Sequence, residues 1–492
     1  MSYCQPKHQA RFVVFLLAAA LAFAPVGRSQ QAAAHVRGDT AAEAKKKLAS
    51  AGPVLAVVSL ANQRISVYGR TGLIGQSPIS TGMPGHRTPA GVFSVIQKHI
   101  FHRSNIYWNA PMPYMQRITW SGVTLHAGPV PGYPASHGCI RLPHQFAVKL
   151  WGLTKIGARV VVAPGDAAVL NIEPVQLPVP KLMPAPEDAT AIGETAKSTV
   201  SRQANLSAQS VKVADASANA ASAGTRLLNP MERAKVMREL AVADTAAKAK
   251  AAKQAAETST LKAAAAHSAS AAWRASETAL ATARARRNAA AKALDQTTPL
   301  STPAEHALAA ADFKVAEAEK VSQDARALEA AATATAMVAA SSASAAEQAS
   351  REAAIALKAA ERGTEPISIL ISKKTGRLYI RQSWAPIYEA PVAFKNPGQP
   401  IGTHVYLAVS EGSGENLRWL SVSLASSAQT RPRNGSELVS ETATSALDRF
   451  EIPQEAKQFI EERLWIGASL IVSDEGISNE TGTFTDFIVL TR

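Results

Sequence analysis

The sequence predicts three parts: a mostly β domain, a long alanine-rich α-helical hairpin, and a second, degenerate β-rich copy of the first domain. Residues 54–164 are rich in Val, Ile, Gly and Pro and carry short apolar runs that alternate. Residues 231–360 contain 51 alanines, a composition that strongly favours helix. Residues 365–492 return to the β pattern and repeat short segments of the first domain. A length of 492 residues accommodates this many domains.

Residues 1–29 are typical of a secretory signal peptide. Lys7, His8 and Arg11 precede an apolar run from Phe12 to Ala24, and small residues follow it. The run is short for a membrane span, which favours cleavage over anchoring. We therefore expect a protein of the periplasm or cell envelope with no stable transmembrane segment after signal cleavage. A short helical lead is predicted over residues 30–52.

The first β domain is predicted over residues 53–164. Its strands are expected at 54–59, 64–68, 91–96 and 160–162, and its one helix at 146–153. Residues 165–228 are rich in Pro, Ser and Ala, a composition typical of a linker.

The helical hairpin is predicted over residues 229–362. Asn229-Pro-Met-Glu232 is typical of an N-cap, a proline at the first helical position and a glutamate two residues later. Thr302-Pro-Ala-Glu305 repeats this signature after a break at 296–299. Two helices of about 60–65 residues follow, each about 90–100 Å long, as an antiparallel hairpin or coiled coil. Because large apolar residues are sparse, a partly folded arm remains the alternative.

The second β copy is predicted over residues 365–492 from an internal repeat. The repeated segments lie at offsets of 313, 311 and 310 residues, in the same order in both halves. The pairs are 59–64 with 372–377, 89–91 with 400–402, and 156–162 with 466–472.

The first domain carries ten Lys/Arg and no Asp or Glu between residues 53 and 164. This excludes paired-carboxylate glycosidases, Ser-His-Asp triads and carboxylate metal sites within it. The positive charge favours an anionic partner, which the charge alone leaves open among nucleic acid, a membrane surface and cell-wall polymer. No nucleic-acid-binding motif is present, and the signal peptide argues against nucleic acid.

A glycine- and proline-rich segment, His126 to Arg141, holds the reactive side chains. It supplies two imidazoles and the thiol of Cys139, the one cysteine that remains after the signal peptide. A thiol attacks a carbonyl as its thiolate, which an imidazole and nearby cations favour. Amide N–H groups around Cys139 are candidates for binding an oxyanion. A buried, unreactive cysteine is the alternative.

The run Ser136-His-Gly-Cys139-Ile-Arg141, the upstream His126 and Thr88-Pro-Ala-Gly-Val-Phe93 together resemble the L,D-transpeptidase catalytic domain, a YkuD-like family. The resemblance covers roughly residues 53–164. It implies a β-sandwich-like fold without metal or cofactor, acting on peptidoglycan stem peptides. It also implies that Cys139 is the nucleophile and that His126 is the base, oriented by main-chain oxygens. The gap of twelve residues between them is shorter than the family commonly has, which leaves the shape of the substrate loop open.

By the same resemblance, oxyanion and substrate-binding roles fall to four further residues: Ser136, His137, Gly138 and Arg141. A structural role for His137 is the favoured alternative, and for Arg141 the structural and substrate-binding roles are balanced. A metal site of His126, His137 and Cys139 would lack a fourth ligand. A papain-like hydrolase is disfavoured because its Cys precedes its His in the chain, whereas His126 precedes Cys139 here. A sortase has the same His-then-Cys order, but its Arg does not lie two residues after the Cys as Arg141 does.

In the second copy the reactive residues are replaced, so we interpret it as inactive and kept for binding or packing. An offset of 310 aligns Cys139 with Arg449, Gly138 with Asp448, His137 with Leu447 and His126 with Ser436. Residues 364–492 carry 12 Lys/Arg and 15 Asp/Glu, so the copies have opposite charge, which allows them to dock with the hairpin folding one back onto the other.

The resemblance therefore implies a peptidoglycan L,D-transpeptidase that forms 3–3 cross-links through a Cys139 thioester, in cell-wall biogenesis. With another acceptor, the same chemistry would tether proteins to peptidoglycan or act as an L,D-carboxypeptidase or hydrolase. The rival interpretation is a non-catalytic wall-binding spacer whose functional element is the hairpin. The hairpin is also the candidate site for an envelope protein partner.

Overall fold

The computed structural model describes residues 52–173, 177–186, 227–296, 302–411, 416–424 and 442–491. The predicted signal peptide and all but the last residue of the predicted helical lead lie outside these ranges. Within them, no helix combines the length and apolarity that a membrane span requires.

The first part of the chain folds into two sheets and one helix. Its elements are β1 (Leu55–Ser59), β2 (Arg64–Gly69), β3 (Gly72–Pro78), β4 (Gly91–Ser94), β5 (Gln97–His99), β6 (Met115–Arg117), β7 (Thr124–Ala127), β8 (Ile140–Leu142), α1 (His144–Leu153) and β9 (Arg159–Ala163). Strands β5, β6, β7 and β8 form a four-stranded sheet, while β3, β2, β1, β9 and β4 follow one another in a larger sheet. The predicted strands and helix are each found within a few residues of the expected bounds.

The middle of the chain is dominated by two long helices. Its elements are β10 (Val169–Ile172), β11 (Met183–Pro184), β12 (Leu227–Leu228), α2 (Pro230–Asp295) and α3 (Thr302–Gly363). The two helices have 66 and 62 residues, which confirms the predicted helical segment. Asn229 caps α2 as expected, accepting a hydrogen bond from Glu232 N at 2.9 Å.

Helices α2 and α3 run antiparallel. Contacts between them pair early α2 with late α3 and late α2 with early α3, as in Thr245 with Ala353 and Arg287 with Asp312. Few of the described residues along this seam are buried, and most of those are small. They are Ser276 and Leu280 on α2 and Ser322 and Ala353 on α3. Small side chains let the helices lie close together, which explains a hairpin built with so few large apolar residues.

The last part forms a second large sheet with two short helices. Its elements are β13 (Ile367–Ser372), β14 (Arg377–Gln382), β15 (Ala385–Pro391), β16 (Ala393–Phe394), β17 (Thr403–Glu411), β18 (Asn416–Leu424), α4 (Ala443–Leu447), β19 (Phe450–Glu451), α5 (Gln454–Glu461), β20 (Ser469–Ser473) and β21 (Val489–Leu490). Strands β15, β14, β13, β20 and β17 follow one another in this sheet.

The two large sheets share one topology. In the first, β1 pairs antiparallel with β2 and parallel with β9, which pairs antiparallel with β4. In the second, β13 pairs antiparallel with β14 and parallel with β20, which pairs antiparallel with β17. The hairpin turns also correspond, because Ser59 pairs with Arg64 and Ser372 pairs with Arg377. The repeat in the sequence is thus matched by a repeat in strand order.

The sheets are stacked in layers. One face of the first large sheet packs against the four-stranded sheet and α1, and its other face packs against the second large sheet. Strand β1 shows this directly, since Ala56 and Val58 enter one core while Leu55 and Val57 enter the other. Both faces are buried, so the strand is apolar at nearly every position. The far face of the second large sheet packs on α4 and α5.

Each large sheet also receives a strand from the other part of the chain. Strand β10, which follows β9 in sequence, pairs with β18 of the second sheet. Strand β21, which follows β20, pairs with β4 of the first sheet. Residues 169–172, part of the segment interpreted as a linker, are therefore built into the second sheet. We call residues 53–164 the first β unit and residues 365–491 the second β unit.

Candidate functional site

The candidate site lies on the paired strands β7 and β8. The strands are parallel, and His126 is the register partner of Arg141. Cys139 immediately precedes β8 and therefore lies beside Thr124, one step before that pair. Because side chains alternate along a strand, Thr124 and His126 share one face with Cys139 and Arg141. The fold thus brings the predicted nucleophile and the predicted base to neighbouring positions on one surface.

His126 is buried and held by a main-chain carbonyl. Its Nδ1 lies 2.9 Å from the oxygen of Ala127. A carbonyl only accepts, so in the neutral ring Nδ1 carries the proton and Nε2 keeps its lone pair. Burial lowers the pKa of His126 below its ordinary value of 6.5, and the nearby charge of Arg141 lowers it further against the raising effect of the Ala127 carbonyl. At neutral pH this imidazole is therefore unprotonated and suited to act as a base.

Cys139 is partly exposed, and polar groups from two neighbouring elements surround its sulfur. Thr124 Oγ1 lies 3.4 Å from Sγ, and the carbonyl oxygen of Gly122 lies 3.8 Å from it. The thiol is thus neither sealed in the core nor free on the surface. Partial exposure leaves the thiol accessible to a ligand.

The loop before the thiol is fixed by side-chain hydroxyls. Ser136 Oγ accepts from Gly138 N at 3.1 Å and donates to Cys139 O at 2.5 Å. Thr88 Oγ1 donates to Gly138 O at 2.8 Å and accepts from Gly82 N at 2.9 Å. Gly138 has φ +113°, a backbone conformation that side-chain-bearing residues rarely adopt. The loop is therefore held on both sides, and the amide of Gly138 is already bonded within it.

His137 and Arg141 lie beside this loop in different settings. The exposed ring of His137 stacks on Tyr107 at 4.8 Å between ring centroids and meets His86 edge-on at 4.9 Å. These ring contacts fit the structural alternative for His137. Arg141 is partly buried, and its aliphatic stem would lie about 3.3 Å from a Cβ placed on Gly128.

The structure adds residues that the sequence did not mark as part of the site, including His102, which was expected to be a surface or packing residue. Thr124 lies at the thiol, and Gly122 contributes the carbonyl that faces it. The electrostatic interaction with His102 contributes to lowering the pKa of His126. Thr124 lies two residues before His126 and so on the same strand face, a signal that was available in the sequence. Gly122 and His102 carried no such signal, because only the tertiary fold brings them near. Among the described residues, no group of three or more His, Cys, Asp or Glu is arranged to hold a metal ion.

A thiol and an imidazole on one surface, with the imidazole oriented by a main-chain oxygen, define a class of site suited to acyl transfer. Residues 53–162 match the family model of the YkuD L,D-transpeptidase catalytic domain. The first β unit thus carries a YkuD domain, and the resemblance indicated by its motif is confirmed. No curated protein matches the chain significantly.

Solved structures of L,D-transpeptidases are similar to the same part of the chain. An enzyme from Mycobacterium smegmatis is 24% identical, with 23% of this chain and 58% of that chain covered and a TM-score of 0.22. One from Stackebrandtia nassauensis is 26% identical, covering 23% and 56%, with a TM-score of 0.22. A mutant of an Enterococcus faecium enzyme is 30% identical, covering 22% and 49%, with a TM-score of 0.21. The chain thus spans less than two thirds of each of these proteins.

Proposed function

We propose that this protein is a periplasmic peptidoglycan L,D-transpeptidase that forms 3–3 cross-links through a thioester on Cys139. The observation that carries the proposal is the His126 imidazole, whose Nδ1 is fixed by the Ala127 carbonyl and which shares one face of the paired strands β7 and β8 with Cys139. The first β unit carries ten Lys/Arg and no Asp or Glu. This positive charge supports the proposal, because stem peptides carry carboxylates.

In the first half-reaction, the thiol proton passes to Nε2 of His126 and the thiolate attacks the carbonyl of the third residue of a tetrapeptide stem. The intermediate collapses to a thioester as the bond to D-Ala breaks, and His126 returns the proton to the departing amine. In the second half-reaction, an amine of another stem attacks the thioester. A new amide bond forms, and Cys139 leaves as the thiol.

The surrounding loop supports these steps by holding geometry. Ser136, Thr88 and Gly138 fix the peptide that leads into Cys139. Since the Gly138 amide is already bonded to Ser136, oxyanion stabilisation falls to the neighbouring amides of the same loop. Arg141 is the candidate for a substrate carboxylate. The acceptor decides the outcome, because a protein amine gives tethering and water gives carboxypeptidase or hydrolase activity.

The test is product analysis with the purified full chain. Tetrapeptide muropeptides are incubated with wild type, Cys139→Ala and a surface control, Lys155→Gln, and the products are measured by mass spectrometry. We expect an acyl-enzyme mass on the Cys139 peptide and a 3–3 dimer from wild type and the control, and neither from Cys139→Ala. Undiminished product from Cys139→Ala would refute the mechanism. Wall retention without any acylation would favour the spacer interpretation.

We also propose that the second β unit is a degenerate, inactive copy of the first. Helices α1 and α5 each follow a proline with φ −55° and nearly equal ψ, Pro143 and Pro453, which lie at the offset of 310. At the position aligned with Cys139, the buried guanidinium of Arg449 donates to the carbonyls of Lys395, Asn396 and Gln399. An arginine engaged in this way, at the position that the repeat aligns with the thiol, supports the proposal that this copy is inactive. Ser436, aligned with His126, lies outside the described residues.

The same experiment tests the inactive copy. If the second β unit carried activity of its own, the Cys139→Ala chain would still release D-Ala from tetrapeptide. The experiment uses the full chain because strand β10 and the apolar core between the two large sheets join the two units. The hairpin as a site for an envelope protein stays a prediction, favoured by exposed apolar side chains on α3 such as Phe313, Val321 and Leu328.

A further inference from the structure

The turn at residues 119–123 forms one wall of the thiol site. Thr119 Oγ1 accepts from Val123 N at 2.9 Å, and Gly122 N donates to Thr119 O at 3.3 Å. The carbonyl of Gly122 then faces Cys139 Sγ at 3.8 Å, and β7 begins directly after the turn. A displacement of this turn would therefore move both the carbonyl at the thiol and the strand that carries His126.

A carboxylate of the second β unit holds this turn. Glu480 Oε2 accepts from Trp120 N at 2.6 Å and from Ser121 N at 3.2 Å, and Oε1 lies 3.3 Å from Ser121 N. Two consecutive amides thus point into one carboxylate, a charge-assisted arrangement that is stronger than neutral hydrogen bonds. Residues 53–164 contain no Asp or Glu, so a carboxylate at this turn has to come from another part of the chain.

Glu480 is itself presented by a built loop between β20 and β21. Its amide donates to Ser478 Oγ at 3.1 Å. Arg381 on β14 donates through Nη1 to the carbonyls of Gly482 and Thr485, at 3.1 and 2.8 Å. A Cβ on Gly482 would lie only 3.2 Å from Trp120 Nε1, so the loop packs closely on the turn it holds. The contact therefore links the second sheet to the wall of the thiol site.

We propose that the second β unit completes the catalytic pocket of the first, and that Glu480 is the positioning residue through which it does so. Glu480 acts on the turn and not on the substrate. This role for Glu480 adds a positioning residue to the proposed transpeptidase site, and it rests on the proposed function. It gives the inactive copy a role other than docking alone, namely fixing the Gly122 carbonyl and the start of β7 beside Cys139.

The experiment compares Glu480→Ala, Glu480→Gln and the control Glu475→Gln in the full chain. Glu475 lies in the same loop, and its carboxylate contacts Lys374 of the second β unit, 3.7 Å away. Three quantities are measured: kcat and KM for transpeptidation, the rate and pH profile of Cys139 alkylation by iodoacetamide, and Tm. Alkylation is followed on the Cys139 peptide by mass spectrometry, which separates it from Cys4.

We expect Glu480→Ala to lower kcat roughly tenfold with KM little changed, because the reacting groups lose their alignment. Alkylation of Cys139 should change in rate and pH profile at a temperature well below Tm. Glu480→Gln keeps one acceptor oxygen and should restore part of the rate, and Glu475→Gln should match wild type.

The proposal is overturned if both Glu480 variants match wild type in kcat and in alkylation. It is also overturned if their only change is a lower Tm. If Glu480→Ala is too unstable to measure, Glu480→Gln decides by the same criteria. Alkylation needs no substrate, so a wild type that forms no cross-link would refute the proposed function while the positioning role of Glu480 is still judged.

Discussion

Arg159 and Asp486 form an ion pair between the two β units, with Nη2 of Arg159 2.8 Å from Oδ2 of Asp486. Arg159 is only 2% exposed, and its remaining donors are used by Ser469 Oγ and by the carbonyl of Phe487. Ser469 is the residue that the sequence offset of 310 aligns with Arg159, and the two side chains are hydrogen-bonded here. The acid-free unit thus buries a cation whose carboxylate partner is supplied by the other unit.

The first prediction concerns this pair. Asp486→Ala leaves the Arg159 charge buried without its partner, which is expected to lower the free energy of unfolding by about 3–5 kcal/mol. Urea unfolding of the full chain measures the loss. Arg64→Gln is the matched control, because the Arg64–Asp166 pair is exposed and 3.5 Å long, and it should leave the midpoint nearly unchanged. Equal effects of the two substitutions would contradict the assigned role.

The second prediction concerns the protonation of His126. The base works only when unprotonated, and burial lowers the pKa of His126 below 6.5, so the acid limb of kcat/KM should lie below pH 6.5. Neutral burial also means that the unfolded chain binds the proton more readily. Stability should therefore fall as pH drops below about 6.5, and less so in His126→Gln.

His126→Gln is also expected to lower kcat by about 10²–10⁴-fold, the usual contribution of a general base. His144→Gln, at the start of α1, serves as the control and should keep the wild-type pH profile. An acid limb that stays in place in His126→Gln would assign the titration to another group.

The third prediction concerns Thr88, whose hydroxyl joins Gly82 N to the carbonyl of Gly138. Thr88→Val keeps the shape but leaves these buried groups without a partner, with an expected loss of about 1–3 kcal/mol in the free energy of unfolding. The loop before Cys139 should loosen, and the acylation rate should fall. Thr88→Ser retains the hydroxyl and should restore both. Thermal unfolding and single-turnover acylation check this, and a Thr88→Val enzyme with the wild-type acylation rate would argue against it.

The fourth prediction concerns the strand exchange. A Cβ on Gly91 would lie 2.3 Å from the carbonyl oxygen of Val489, so Gly91→Ala should push β21 away from β4. We expect the free energy of unfolding to fall by about 1–3 kcal/mol. The backbone amides of β21 should also exchange hydrogen faster. Gly72→Ala is the control, since Gly72 also has a positive φ but has open space around it. Equal hydrogen-exchange rates of the β21 amides in the two variants would show that the close approach at Gly91 does not affect stability.

Much of the fold was predictable because its signals are local. The long helices followed from alanine content and from the helix-start patterns at Asn229 and Thr302, which depend on a few adjacent residues. The strands followed from short apolar runs, and the second sheet from repeated turns such as 59–64 and 372–377. The candidate nucleophile and base were predictable because the motif around Cys139 is compact. Their roles remain predictions that the experiments above decide.

The contacts between the units were not predictable from local pattern. Residues 169–172 lie in a segment whose composition is that of a linker, and their pairing with the edge of β18 makes them a strand. Glu480 sits in a polar loop like many others, and its meaning depends on Trp120 and Ser121, about 360 residues away in sequence. No periodicity carries such information, because the partners meet only after both sheets have formed.

The sequence by itself determined the element types, the repeated segments, the candidate reactive residues and the absence of acids from the first β unit. These depend on composition and on neighbours a few positions apart. The tertiary structure decided that the two large sheets pack face to face, exchange edge strands, and supply Asp486 and Glu480 to a unit that has no carboxylate of its own. Burial of apolar faces favours the stacking in general, but only the three-dimensional register selects which charged groups meet across it.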